Sequence, residues 1–307
     1  MSLISLIVAL LLEQWRPLAD RRYFYMTALQ YARYFEQKFN AGENQHGVIA
    51  WALAVVPPVL AVWLAHALLA KANPLLALAF NLGALYITMG FRQFSHYFTD
   101  IQLALRDEDI PRARAVLAQW RGHSCEELSS EDVAKLAIEQ ALAASYTHVF
   151  SVIFWFVLLP GPTGAVLYRL SHYLGQRWGK TESAELLAFG AFAARAFAVI
   201  DWIPARLTAL TFAIVGDFED AIFCWRSQAA RWFDPNMGIV LSAGAGALGV
   251  LLGNPYVLDA TVVQRPELGL GDDPDAGHLD STVGLIWRAL VLWLAMLFLL
   301  GIASAMR

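Results

Sequence analysis

The chain has 307 residues and a formal net charge of -4; 58% of its residues are hydrophobic and only 16% are charged. A soluble domain carries about 25% charged residues, and mean hydropathy here is positive, +0.49. These values exclude an ordinary water-soluble globular enzyme and a basic nucleic-acid-binding protein, and they predict an all-α, polytopic transmembrane helical bundle of one domain, 1–307, in contact with the lipid bilayer.

Ser2–Leu12 is apolar but shorter than the roughly 20 residues that cross about 30 Å of hydrocarbon. It lacks a basic n-region and reads as a retained segment. Over Arg16–His46, Phe24, Ala28, Tyr31, Phe35 and Phe39 recur at helical spacing among charges, which predicts an amphipathic interfacial helix. Val48–Ala70 and Ala72–Phe91 are uncharged runs joined at Asn73-Pro74, a transmembrane hairpin. Pro57-Pro58 inside the first run frees backbone carbonyls that neighbours must satisfy. Residues 95–135 form an amphipathic cytoplasmic segment. Within it Ile110-Pro111 starts a helix, Gly122 stops it, and Ser129 with Asp132 makes a capping box for the next.

Gln140–Tyr168 is a long apolar run broken at Gly161-Pro162-Thr163-Gly164. Pro235–Leu258 is another, and its Gly244–Gly249 stretch invites close helix approach. Ala289–Met306 is the last run. The segments holding Arg16, Arg21, Arg22, Arg33 and Lys38, and Arg106 through Lys135, are basic and are placed inside. The acidic loop 254–283 is placed outside. Cys125 and Cys224 are far apart with no ligand spacing, so unpaired thiols and no metal site are expected.

Charge inside apolar sequence marks the candidate site. Arg195, Asp201 and Arg206 fall within Phe189–Phe233, where each costs on the order of 2.5–3.5 kcal/mol to insert and is expected to be paired or to face a wet cavity. Two arginines and one aspartate leave a net positive pocket, and an arginine fork suits phosphate or carboxylate. A purely structural pair explains the same residues. Arg92 ends the second hairpin helix, where it can snorkel. Glu139 opens a hydrophobic helix, where a neighbouring arginine is its expected partner. Arg169 and His172 share one helical face. No nucleotide loop, nucleophile elbow or HExxH zinc motif is present, and no catalytic residue is assigned.

Asp201-Trp-Ile-Pro204-Ala-Arg206, preceded by Gly190 and Ala194-Arg195, resembles the signature of the CobD/CbiB adenosylcobinamide-phosphate synthase superfamily and of its AmpE branch. Leu105-Arg-Asp-Glu-Asp109, Asp234-Pro-Asn236 with the Gly-rich helix after it, and Arg265-Pro266 are similar to further motifs of that superfamily in the same order. The resemblance implies a multi-pass bacterial inner-membrane protein. In the synthases it implies formation of a corrinoid amide with nucleotide and Mg²⁺. The sequence departs from the synthase pattern at Ala143, Ala144, Thr147 and His148, at Phe197-Ala198, at His172 and Gly175, and at Leu241, where acids, amides or a glycine would stand. Arg92, Glu139, Arg195, Asp201, Arg206 and Asn236 remain. The expectation is therefore a non-catalytic, AmpE-like signalling protein that binds an anionic small molecule or corrinoid in a cationic pocket. The alternative is synthase-type amide formation. Self-association stays open.

Overall fold

The structure is a computed structural model that describes residues 2–15, 22–40, 44–179, 184–258 and 261–305. It is all-α, as the composition predicts. The helices are α1 (Ser2–Trp15), α2 (Arg22–Phe39), α3 (Asn44–Ala72), α4 (Pro74–Thr88), α5 (Phe91–Arg106), α6 (Ile110–Arg121), α7 (Ser130–Ser145), α8 (Ser151–Leu158), α9 (Thr163–Gly179), α10 (Ala184–Ile200), α11 (Trp202–Val215), α12 (Phe218–Gln228), α13 (Pro235–Leu248) and α14 (Ala276–Ala305). A π-turn, Tyr146–Phe150, joins α7 to α8. Between α13 and α14 lie two short antiparallel pairs, β1 (Leu251–Leu252) with β4 (Leu268–Gly269) and β2 (Tyr256–Leu258) with β3 (Thr261–Val263).

Three helices are long and apolar enough to cross a membrane: Asn44–Ala72, Ser130–Leu158 and Ala276–Ala303. Leu187–Ile200 and Trp202–Val215 qualify only as a pair broken at Asp201. This pattern fits a membrane protein. Two uncharged runs do not form the spans expected of them. α4 has 15 residues, about 22 Å at 1.5 Å per residue, and Met89 leaves it with extended backbone. α13 stops at Gly249, which is left-handed (φ 69), and the chain turns into β1. An apolar window registers neither kind of stop.

The helix ends follow their local chemistry. Ser129 and Asp132 form a reciprocal capping box at α7. The side chains of Asn73, Asp109 and Asp234 accept backbone N–H groups at the starts of α4, α6 and α13, each ahead of a proline in the first turn.

The chain, read as one domain from sequence, forms two compact units. Unit 1 comprises Met1–Gly90 and Ser151–Ile203; unit 2 comprises Phe91–Phe150 and Pro204–Arg307. The core of unit 1 joins α2, α3, α9 and α10 through Ala32, Ala50, Ala54, Trp178 and Phe189. Gly190 permits this packing, since a Cβ there would lie 1.8 Å from the Trp178 carbonyl oxygen. Proline 58 lacks the N–H that would bond Ala54 O four residues back, and the Tyr31 hydroxyl donates to that carbonyl instead (2.9 Å). In unit 2, α13 packs on α12 at Gly246, where a Cβ would lie 2.5 Å from Asp220 O.

Candidate functional site

In unit 2 the capping box fixes the start of α7 and puts Lys135 and Glu139 one turn apart on one face. Both are buried. Glu139 uses both carboxylate oxygens: Gly253 N donates to Oε1 (2.8 Å) and Arg265 donates to Oε2 (2.5 Å). Arg265 also donates to Gly253 O (2.9 Å). Gly253 has φ +77, and a Cβ there would meet Pro266 O at 2.0 Å, so glycine is required where the loop doubles back. The Tyr256 ring lies 4.7 Å and the Trp232 ring 5.7 Å from the Arg265 guanidinium, while Arg121 donates to the Tyr256 hydroxyl (3.2 Å).

Trp232 brings the start of α13 to this corner. Two residues on, Asp234 accepts from Asn236 N (3.0 Å) and Met237 N (3.2 Å). The buried Asn236 amide accepts from Arg206 (3.4 Å). Further along, Lys135 pairs with Asp273 in the loop (2.6 Å), and at the start of α14 Asp280 accepts from Gln102 (2.5 Å) and pairs with Arg106. The basic segment and the acidic loop, which the charge distribution assigns to opposite faces of the bilayer, are thus in contact.

In unit 1 the Tyr168 hydroxyl donates to the buried Asp201 (3.0 Å), and Trp155 donates to Ile200 O at the helix break (3.2 Å). Arg169 donates to Thr88 O (2.6 Å). Arg195 is exposed; it donates to Ala191 O (3.2 Å) and, with the Asn44 amide oriented to satisfy both its ends, to Asn44 Oδ1 (3.1 Å). Arg195, Asp201 and Arg206 therefore each have a different neighbour among the contacts described. Arg92 lies in the first turn of α5, and its side chain falls outside the described residues. Three of the positions that depart from the synthase pattern touch one another: Phe197 packs on His172 (ring centroids 5.1 Å apart), and a Cβ on Gly175 would lie 2.9 Å from the Phe197 Cβ.

Both cysteines are free and buried. Burial pushes the Cys224 thiol up to about 11 and raises Cys125, where the Arg121 charge partly offsets it. Neither has the depressed value of a nucleophilic thiolate. Among the described residues no three His, Cys, Asp or Glu side chains converge as a metal site, and both oxygens of Glu139 are engaged. Among the described residues the side chains do not by themselves fit a resident Mg²⁺.

Residues 6–286 match the family model described as CobD/Cbib protein. A Stutzerimonas stutzeri (strain A1501) protein named cobalamin biosynthesis protein CobD is 37% identical over 302 residues, which is 97% of each chain. The chain belongs to the CobD/CbiB family. A Chromobacterium violaceum relative, also named cobalamin biosynthesis protein CobD, is 37% identical over 81% of this chain and 78% of its own. The Salmonella typhimurium (strain LT2) cobalamin biosynthesis protein CbiB is 24% identical over 82% and 80%. No solved structure matches.

These relatives overturn the expected non-catalytic, AmpE-like signalling role, because proteins that match along most of the chain are named for cobalamin biosynthesis. The expectation gave most weight to lost acids. Three of those losses fall on one contact in unit 1, while Ala143, Ala144, Thr147, His148 and Leu241 lie in unit 2, where the Glu139 pair itself is kept. Arg265, Tyr256, Lys135 and Gln228 went unassigned. Gln228 exchanges two hydrogen bonds with Gly269, as donor to its carbonyl (3.0 Å) and acceptor from its N–H (2.6 Å). The one available signal for Arg265 was its Arg-Pro motif.

Proposed function

We propose that this CobD/CbiB-family chain carries out synthase-type amide formation in cobalamin biosynthesis, joining a small amine or its phosphate to a corrinoid side-chain carboxyl. The observation that carries the reading is the buried Glu139–Arg265–Gly253 cluster, which keeps the synthase-motif acid in a fixed, fully bonded setting. Arg206, held by Asn236 at the start of α13, adds a second cation. Together the two guanidiniums supply donors for the carboxylate and phosphate groups that such substrates bring. The chain is a multi-pass protein of the bacterial inner membrane in this reading. The contacts of Arg106 with Asp280 and of Lys135 with Asp273 favour placing segment 95–135 and loop 254–283 on one side, the cytoplasmic one, where nucleotide is available.

The test is complementation of a bacterium that lacks its adenosylcobinamide-phosphate synthase, grown where cobalamin must be completed from cobyric acid. Growth with the wild-type chain and its loss with Glu139→Gln are expected. Absence of growth with a protein shown to be expressed and inserted in the membrane would sink the proposal.

A further inference from the structure

We infer that Arg265 holds a ligand oxyanion at its Nε. The side chain is 9% exposed, and its surroundings are nearly complete. The rings of Tyr256 and Trp232 flank the guanidinium. One terminal nitrogen donates to Glu139 Oε2 and the other to Gly253 O. The Nε–H is buried and has no acceptor. Glu139 cannot turn to serve it without giving up Gly253 N, which its second oxygen already accepts. Arginine does not deprotonate in proteins, so this need for an acceptor is permanent, and an orphaned buried donor in a native fold calls for an unseen partner.

Charge selects the partner. A second guanidinium, that of Arg121, stands 5.5 Å from the same Tyr256 ring, and Glu139 is the one carboxylate bonded to Arg265 among the described residues. Two guanidiniums against one ring, with a permanently charged donor left over, favour an oxygen that carries negative charge, from a phosphate or a carboxylate group, over a neutral one. The inference deepens the synthase reading by naming an oxyanion for the same site. Its test reads binding and not growth, so either can fail without the other.

The protein, in nanodiscs of phosphatidylcholine, is titrated with sodium phosphate and with sodium acetate at matched ionic strength, by calorimetry and by thermal unfolding. Saturable binding of at least one anion is expected. Arg265→Lys keeps a cation for Glu139 but cannot place a donor at the Nε position, and it should weaken binding about tenfold or more. Glu139→Gln removes the opposing charge and leaves one acceptor for its two neighbours; in a variant shown to fold, binding should tighten severalfold. These opposite signs separate a ligand role from a merely structural one. Competition by phosphatidylglycerol added to the disc assigns the oxyanion to a lipid headgroup, and indifference to it assigns a soluble ligand. No saturable response to either anion, or equal responses in wild type and Arg265→Lys, overturns the inference and leaves Nε to a buried water.

Discussion

Unit 1 and unit 2 treat buried polarity in different ways. In unit 1, Asp201 is held by a tyrosine hydroxyl, and the nearby positions where the synthase pattern has acids or amides are an aromatic ring, an imidazole and a glycine packed together. In unit 2, Glu139 keeps a full charge partner and a backbone donor, and the loop that supplies them is tied to α6 and α7 by further contacts. The departures at Ala143, Ala144, Thr147 and His148 follow Glu139 within unit 2 itself, so the loss of acids spares the Glu139 pair but not the helix that carries it. What a missing ligand means depends on which neighbours it would have had.

The sharpest way to break the comparison is to unpair Glu139. Arg265→Ala leaves a buried carboxylate without its cation and should destabilise the protein by about 3–5 kcal/mol. Denaturant unfolding in detergent reads it. A loss under about 1 kcal/mol would mean that water replaces the guanidinium and that the pair is not a buried one. Phe197→Ala comes next. It removes a ring that is 7% exposed, and core Phe→Ala changes cost about 3–5 kcal/mol, less where the site collapses. The milder Phe197→Leu should keep its complementing activity while Glu139→Gln loses it. Loss of growth in a stably folded Phe197→Leu would return the site to unit 1.

Tyr168→Phe should have a smaller effect, about 1–2 kcal/mol. The hydrogen bond goes to a carboxylate, yet side-chain bonds inside membrane proteins average only about 0.6 kcal/mol when measured. The comparison is sharpened if the loss shrinks in an Asp201→Asn background, because the tyrosine then acts through the aspartate.

Most of the fold was legible where a residue type dictates a local event. The capping box at Ser129 and Asp132, the Asn73-Pro74 turn, the Gly161–Gly164 break and the need for a donor near Pro58 all follow from one or two side chains and the backbone they serve. The lengths of α4 and α13 did not, because hydropathy continues past Met89 and Gly249 while the helix does not. The site was half legible. Glu139 was singled out with an arginine as its expected partner. Arg265, 126 positions away, sits in the loop that charge alone had placed across the bilayer. Acidic residues contribute little to the inside rule, so Asp273 and Asp280 carried no information about side. Their partners Lys135 and Arg106 are visible only in the fold.

The smallest effect concerns a carboxylate of the opposite kind. Asp275 is largely exposed and caps the first turn of α14, accepting from Gly277 N (2.9 Å) and His278 N (3.0 Å). The His278 backbone N–H, more than burial, holds its carboxyl below the usual value, with the His278 side chain and Gly277 N–H adding to the shift. A carboxyl depressed in the folded state contributes stability that is present above the unfolded value of about 3.9 and is lost as pH falls through the folded value. Hydrogen exchange at Gly277 and His278 should therefore be slow at neutral pH and quicken, relative to its intrinsic rate, only below about pH 4. In Asp275→Asn this acid-dependent step should disappear. Because solvent screens the group, loss of the charge should loosen one turn and leave the buried length of α14 in place. Were the whole helix to open with that single cap, exposure would not be what separates Asp275 from Glu139, and the contrast between a solvated acid and a sealed one would have to be sought in the loop that carries their partners.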